Sequence, residues 1–318
     1  MVAVSERLRN WALSPDSRVA VTGATGWIGT ALAHVCSDLG LTQASGRLRL
    51  FGSQPRIFES AGRDFTIEPL DGAAALGDGD WLVFHLAFLG KERTQDLAPD
   101  DFSRINDAVL AQAQALIASA ARARLVFSSS GAVYRPDRSL VGADGNPYGY
   151  MKVQHEARIR QWAVDRTLPL VTARIFNIGG PYINKQALYA LSDFIDQARR
   201  TGSIRIGAAK PVFRSFVHVE ELCHVLFESV LDPALDFVCY DTAGREIVEI
   251  ADLARAVGRA LDIDVTIERP SIVVGAASDW YVGDGKRYQS TLASMELAAT
   301  DLNEIVAATA AFMSLPSD

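Results

Sequence analysis

The sequence predicts an α/β fold, in which a doubly wound parallel sheet is followed by a smaller C-terminal α+β lobe. Short apolar segments alternate with longer segments of helical spacing over residues 1–175. Some of these segments, such as WLVFHL at 81–86, are apolar at nearly every position, which is typical of strands covered on both faces. A glycine-rich segment directly follows the first apolar segment of the chain, 18–22. Alternation of strands and helices in this order indicates a parallel sheet.

The elements follow from the same patterns. In the first part of the chain the predicted strands are 18–22, 47–52, 65–68, 81–86, 125–129 and 168–173, and the predicted helices are 2–13, 101–122 and 148–166. In the second part the predicted helices are 189–200, 249–261 and 301–313, and 265–268 is a short strand. We expect a dinucleotide-binding domain at 1–175, to which 212–243 returns. A substrate-binding lobe would then comprise 176–211 and 244–318.

Composition and charge restrict the classes of partner and the compartment. The formal net charge is −7, and acidic and basic residues are interspersed, which argues against nucleic acid or an anionic membrane as a partner. The three cysteines have neither disulfide-framework nor metal-ligand spacing, so we predict reduced thiols and no metal site. We find neither a signal-peptide core nor an apolar run of the ~20 residues that span a membrane. The expectation is a cytoplasmic protein with a small-molecule substrate.

The segment TGATGWIG at 22–29 predicts a phosphate-binding loop. Gly23 and Gly26 permit a tight turn and a close approach of the backbone to a pyrophosphate, and Gly29 lets the following helix pack near the strand. Amides at the start of that helix then face the anion, so Thr25, Trp27 and Ile28 join the glycines as candidate cofactor-binding residues. At the first strand–helix junction this spacing indicates a dinucleotide-binding, Rossmann-type domain.

The end of the second predicted strand indicates which dinucleotide is bound. An acidic residue there would bind the 2′-hydroxyl of the adenosine ribose, but 51–56 is FGSQPR and contains no acid. Ser53 and Arg56 can instead bind a 2′-phosphate, which favours NADP(H) over NAD(H). The alternative is that Arg56 is a solvated loop residue that does not contact the cofactor. Asp71, after the third strand, is a candidate contact to the adenine.

Three residues predict acid–base chemistry at a carbonyl or alcohol. Tyr148 and Lys152 are four residues apart at the start of a predicted helix, which places them on one helical face. A nearby ammonium favours the phenolate form, so Tyr148 can exchange a proton with a substrate oxygen while hydride moves to or from nicotinamide. Ser130, at the end of the fifth strand, would polarise the same oxygen. Tyr150 lies on another face of the helix.

These motifs together resemble the extended short-chain dehydrogenases/reductases of the NAD-dependent epimerase/dehydratase family, in particular the branch that modifies nucleotide-sugars. The matching segments are TGATGWIG at 22–29, HLAF at 85–88, FSSSGAVY at 127–134, PYGYMK at 147–152, ARIFNIGGPY at 173–182 and RSFVHVEEL at 214–222. The resemblance implies that the cofactor is also contacted by Leu86, Ala87 and Ser128. It implies that the substrate, a sugar or nucleotide-sugar, is contacted by Phe88, Ser129, Asn177 and Arg214. It further implies a homodimer.

Departures from the family pattern narrow the activity. Gly131 and Ala132 stand where the dehydratases have an Asp-Glu pair, which argues against dehydration. Many nucleotide-sugar members carry a second arginine for the diphosphate, and 275–280 contains none. Arg214 and Asn177 each have an alternative to substrate contact. Arg214 could be an exposed strand-edge residue, and Asn177 could close a turn. Two enzyme hypotheses stand, a reductase or dehydrogenase that exchanges its cofactor and an epimerase that retains it. A non-catalytic cofactor-binding protein is the third, although it would not need Tyr148 and Lys152.

Overall fold

The computed structural model describes residues 4–71 and 74–314. The strands are β1 (Ser17–Thr22), β2 (Leu48–Gly52), β3 (Arg56–Ser60), β4 (Arg63–Pro69), β5 (Gly77–His85), β6 (Ala120–Ser130), β7 (Leu170–Ile175), β8 (Asn177–Gly179), β9 (Ser203–Arg205), β10 (Val212–Arg214), β11 (Phe216–His218), β12 (Phe237–Asp241), β13 (Val248–Glu249), β14 (Thr266–Glu268) and β15 (Asp279–Tyr281). The helices are α1 (Glu6–Leu13), α2 (Trp27–Asp38), α3 (Pro99–Ala118), α4 (Pro147–Val164), α5 (Ala190–Thr201), α6 (Val219–Val230), α7 (Ile250–Leu261), α8 (Lys286–Ser294) and α9 (Leu302–Phe312).

The chain forms two compact units. The first comprises Met1–Arg174 and Cys223–Tyr240, and the second comprises Ile175–Leu222 and Asp241–Asp318. Of the segment 212–243, which was predicted to return to the first domain, 223–240 is grouped with the first unit, whereas 212–222 and 241–243 are grouped with the second. The reason is that β10 pairs with β13 and β15, and β11 pairs with β8.

A mostly parallel sheet organises the first unit, with strand order β12-β7-β6-β5-β1-β2-β4-β3. The strand β1 pairs in parallel with β2 and β5, β5 pairs in parallel with β6, and β2 pairs in parallel with β4. Since the carboxyl ends of parallel strands share one edge of a sheet, Thr22, Gly52 and Ser130 end their strands at the same edge. The predicted α/β class and Rossmann-type sheet are confirmed, and the central strands are buried on both faces.

The first unit differs from the sequence prediction in two places. The strand β3 was not predicted, and it runs antiparallel to β4 at the end of the sheet, where three of its five residues are exposed. The predicted helix 101–122 was too long, because α3 ends at Ala118 and Ala120 already pairs with Gly77 of β5. Since β3 is antiparallel to β4, its first residue, Arg56, lies at the same sheet edge as the carboxyl ends of the parallel strands.

The second unit contains a helical core and short strand pairs. Packed together in its core are apolar side chains of α5, α7 and α9: Leu191, Phe194, Ile195, Leu253, Val257, Ile305 and Val306. The helix α5 is followed by Gly202 in the left-handed conformation, and α7 is preceded by Glu249, whose carboxylate accepts a hydrogen bond from the Ala251 amide. These helices and β14 match predicted segments, whereas α8 was not predicted. None of the helices in the described part of the chain has both the length and the apolar character needed to cross a lipid bilayer.

Candidate active site

The turn after β1 approaches the segment that follows β5. Gly23 has a φ of 71°, and a Cβ atom at this position would lie 2.7 Å from the amide nitrogen of Ala87. The hydroxyl of Thr22 and Nδ1 of His85 share a hydrogen bond of 2.7 Å, which joins the ends of the two strands. The loop therefore lies directly against Leu86 and Ala87, two residues that were predicted to contact the cofactor.

The remaining glycines shape the start of α2. Gly26 precedes the helix and has no side chain that could cap its amides, which lack acceptors within the helix. A Cβ atom on Gly29 would lie 2.7 Å from Cα of Ala24, so the helix packs tightly on the loop. The residues present thus fit a bound pyrophosphate, because the backbone forms a narrow cradle at the positive end of a helix dipole.

The other candidate cofactor residues surround this loop or lie along the same sheet edge. Trp27 is buried, whereas Thr25 and Ile28 are half-buried. Ser53 is exposed directly after β2, and Arg56 is exposed with its guanidinium carbon 5.9 Å from the centre of the Phe58 ring. Asp71 is exposed after β4.

The start of α4 is defined by Asn146 and Pro147, neither of which was predicted to have a role in the site. The side-chain oxygen of Asn146 accepts hydrogen bonds from the amides of Tyr148 at 2.9 Å and Gly149 at 3.4 Å, and Pro147 occupies the first helical position. Asparagine before a helix and proline at its first position are both favourable. This start fixes the backbone of Tyr148 and places Lys152 one turn further along the same face.

Lys152 is almost completely buried. Its ammonium nitrogen donates a hydrogen bond of 2.9 Å to the Ser128 carbonyl and lies 3.8 Å from the centre of the Phe88 ring and 6.0 Å from that of Tyr148. Burial lowers the pKa of Lys152 to about 7, although the negative charge of Glu156 acts in the opposite direction. The structure therefore brings the predicted lysine and tyrosine together.

Phe88 connects the residues of this cluster. Its ring stands nearly perpendicular to the Tyr148 ring, with 5.5 Å between the centres, and it also contacts His155 at 5.6 Å. An aromatic face attracts a nearby ammonium, so Phe88 stabilises the charged form of Lys152. Phe88 was predicted to contact the substrate, and the structure shows it packed against the candidate catalytic residues.

Ser130 lies where β6 meets a 3-10 turn, Gly131–Val133. Its hydroxyl oxygen accepts a hydrogen bond of 3.2 Å from the Ala132 amide. A Cβ atom on Gly149 would lie 3.0 Å from the carbonyl carbon of Ala132, so the first turn of α4 packs directly on this 3-10 turn. That contact brings the segment of Ser130 against the helical turn of Tyr148.

Two serines before Ser130 have roles within the fold. Ser128 provides the carbonyl that accepts from Lys152. Ser129 was predicted to bind substrate, but its side chain is buried and its hydroxyl donates a hydrogen bond to Glu156. The Ser129 hydroxyl therefore already has a partner within the fold, and its contact with substrate stays a prediction.

In the second unit, Asn177 and Arg214 already have partners. The amide nitrogen of the Asn177 side chain donates to the carbonyls of Ser215 at 3.1 Å and Tyr281 at 3.3 Å. Arg214 donates to the Asp279 carboxylate at 3.2 Å. Although partial burial acts in the opposite direction, the hydrogen bond and charge of Arg214 hold the pKa of Asp279 below its ordinary value. Both side chains stabilise the second unit, and their contact with substrate stays a prediction.

The close packing of Gly29 on the glycine-rich loop leads to a testable prediction. Gly29→Ala would push the first turn of α2 away from Ala24, and we expect it to weaken binding of NAD(H) and NADP(H) by roughly 10-fold or more. Titration of the purified variant followed by protein fluorescence measures the affinity. Gly207→Ala is the matched control, because a Cβ there would meet no atom within 4 Å. Equal affinities in the two variants would contradict the assignment of the loop.

Known proteins resemble this chain in family and in fold. A family model described as "NAD dependent epimerase/dehydratase family" matches residues 19–233. A UDP-glucose 4-epimerase of Azospirillum brasilense is 28% identical over 264 residues, which cover 77% of this chain and 68% of that protein. Among solved structures, a UDP-N-acetylglucosamine 4-epimerase from Methanobrevibacter ruminantium M1, in complex with UDP-N-acetylmuramic acid, has a TM-score of 0.70 at 20% identity and covers 94% of this chain and 98% of its own.

A second solved structure, MoeE5 in complex with UDP-glucuronic acid and NAD, has a TM-score of 0.68 at 21% identity and covers 93% of this chain and 99% of its own. The likeness to both structures concerns the fold. The family model spans more than half of the chain, so the resemblance read from the motifs is confirmed. The chain belongs to the NAD-dependent epimerase/dehydratase family and is an NAD-dependent enzyme of the short-chain dehydrogenase/reductase type.

Proposed function

We propose that this protein oxidises or reduces a carbonyl/alcohol carbon of a sugar or nucleotide-sugar, with Tyr148 as the acid–base residue. The observation that carries the proposal is the position of Tyr148 at the start of α4. There its ring packs on Phe88, beside the buried ammonium of Lys152 and on the helical turn that contacts the segment of Ser130.

The proton and the hydride move separately in the proposed reaction. When bound, a nicotinamide cofactor would supply or take up the hydride. In the oxidation, the Tyr148 phenolate takes the proton of the substrate hydroxyl, while the C–H bond breaks and its electron pair leaves with the hydride. In the reduction, Tyr148 returns the proton to the carbonyl oxygen. Ser130 donates a hydrogen bond to that oxygen, and the charge of Lys152 favours the phenolate form of Tyr148.

The acid–base role predicts the behaviour of one conservative variant. Tyr148→Phe removes the proton-carrying group and leaves the ring packed on Phe88, so we expect kcat to fall by about 10²- to 10⁴-fold with little change in fold. UDP-glucose and UDP-N-acetylglucosamine, each with NAD(H) or NADP(H), are the first substrates to assay. Tyr150→Phe, on another face of the same helix, should keep wild-type turnover. Normal turnover in Tyr148→Phe would show that the acid–base residue is a different one.

For the cofactor, we propose that NADP(H) is preferred over NAD(H). Ser53 and Arg56 are both exposed near the carboxyl edge of the sheet, and the segment 51–56 has no acidic side chain to bind a ribose 2′-hydroxyl. A guanidinium group pairs strongly with a phosphate dianion. NAD(H) is the alternative, which the description of the family favours.

This preference can be tested at Arg56. Arg56→Ala should weaken NADPH binding by roughly 10-fold, because it removes one charge-assisted contact, and should leave NADH binding unchanged. Arg63→Ala is the control, since Arg63 lies at the other end of the same hairpin and pairs with Asp38. An unchanged NADPH preference in Arg56→Ala would remove this residue from the cofactor site.

An epimerase is the second candidate function, and the names of the similar proteins favour it. An epimerase returns the hydride to its own substrate and so retains its cofactor, whereas a reductase exchanges it in every turnover. Under the reductase hypothesis we expect that denaturing the freshly purified protein releases less than stoichiometric nucleotide. Release of one NAD per chain, identified by chromatography, would instead establish the epimerase.

Two further expectations concern assembly and compartment. We propose a homodimer, supported by the family resemblance and by the exposed alanines Ala108, Ala111 and Ala115 along α3. We also propose a cytoplasmic location. The absence of disulfides among the cysteines of the described residues, Cys36, Cys223 and Cys239, supports a reducing compartment.

A further inference from the structure

A buried ion pair lies one helical turn beyond Lys152. Glu156 on α4 accepts two hydrogen bonds from Arg174 on β7, at 2.9 Å from Nε and 2.6 Å from Nη2. The side chains are only 12% and 16% exposed. Burial of an ion pair contributes little net stability, because the desolvation of both charges offsets their attraction. The position of the pair, rather than its stability, therefore needs an explanation.

The pair contacts the chain on both sides of Ser130. The Ser129 hydroxyl donates to Oε1 of Glu156, and Nη1 of Arg174 donates to the Tyr134 hydroxyl. Tyr134 directly follows the 3-10 turn that begins after Ser130. The residue before Ser130 and the residue that ends its turn are thus held by one hydrogen-bonded unit, which we call the Glu156–Arg174 clamp.

The clamp also provides a negative charge one helical turn from Lys152, on the same face of α4. The titratable groups around that ammonium are Tyr148, His155 and Glu156 on α4 and His85 at the end of β5, and Asp107 on α3 binds His155. Burial lowers the pKa of His155 to about 4 and that of His85 to about 3, so both rings are neutral at pH 7. Among the described residues, Glu156 is therefore the acid whose charge acts on Lys152.

We propose that Glu156 is a positioning residue of the active site, which acts through Arg174 and Ser129 to hold the Ser130 segment and through its negative charge to favour the ammonium form of Lys152. The proposal rests on the proposed function, because Ser130 and Lys152 are the groups it positions. Glutamine has nearly the same size as glutamate, but it carries no charge, and its NH₂ group would face a donor of Arg174. Aspartate keeps the charge on a shorter side chain.

The charge is tested by titrating Lys152 directly. In protein labelled with [¹³Cε]lysine, the Lys152 resonance is assigned by its loss in Lys152→Met, and Lys91, Lys185, Lys210 and Lys286 serve as internal references. We expect a titration midpoint near pH 7 in the wild type. In Glu156→Gln it should be lower by roughly one pH unit, because the attraction to the carboxylate is lost, and Glu156→Asp should restore most of the difference.

Glu228→Gln is the matched control. Glu228 is also a buried glutamate of the first unit, and its partners, Ser5 and Arg7, are of the same types as those of Glu156. Its loss should leave the Lys152 midpoint unchanged. A wild-type midpoint in Glu156→Gln would overturn the electrostatic part of the proposal, and an equal shift in Glu228→Gln would show a general effect of lost charge.

The placement of Ser130 is tested by amide hydrogen exchange in the peptide that covers 129–134. Glu156→Gln should increase exchange there at least several-fold and leave peptides of β1 unchanged. Ser129→Ala removes one contact of the clamp but keeps Glu156, so it should increase exchange without moving the Lys152 midpoint. Unchanged exchange in both variants would overturn the positioning role, and Glu156→Asp provides the comparison if Glu156→Gln does not fold.

These two readouts need no substrate, so their failure is distinguishable from failure of the proposed function, which Tyr148→Phe tests. With a substrate that the wild type turns over, Glu156→Gln should lower kcat and leave KM nearly unchanged. The high-pH limb of the kcat–pH profile, which follows loss of the proton from Lys152, should shift to lower pH. A wild-type kcat and pH profile in that variant would show that the clamp has no role in catalysis.

Discussion

The buried ammonium of Lys152 is the constraint on which the rest of the candidate site depends. A charge inside a protein is strongly unfavourable unless polar or charged groups surround it. Three separate parts of the chain meet this need: the Ser128 carbonyl of β6, the Phe88 ring after β5 and Glu156 on α4. These parts must converge for the lysine to be buried. The same convergence brings Tyr148 and the segment of Ser130 together, so the candidate catalytic residues follow from the accommodation of one charge.

The features that the sequence predicted well are those that depend on neighbours close in the chain. Gly29 must be small because it packs on Ala24, only five residues away, and this spacing is visible in the sequence. The Tyr148–Lys152 pair depends on the pitch of one helix. The parallel sheet was predictable for a related reason, since strands buried on both faces are apolar throughout.

The features that were missed depend on partners distant in the chain. Glu156, Arg174 and Ser129 lie on three different elements, and no sequence pattern near any one of them predicts that they pair. The exposed hairpin strand β3 lacks the apolar run that marked the central strands. One signal was available but unused. Successive strand residues point to opposite faces, so Ser129 could have been expected to face away from its neighbour Ser130.

Substrate selection is a separate problem from hydride chemistry, because the two depend on different residues. In the proposed reaction, Tyr148, Lys152 and Ser130 act on a carbonyl or alcohol whatever group is attached to the sugar. Arg214, which was predicted to contact the substrate, is already paired with Asp279, and the Lys210 ammonium lies 3.4 Å from the same carboxylate. A diphosphate would therefore compete with Asp279 for Arg214, whereas an uncharged sugar would leave the ion pair intact. If Arg214 contacts the substrate as predicted, the Asp279 carboxylate would therefore disfavour a diphosphate relative to an uncharged sugar.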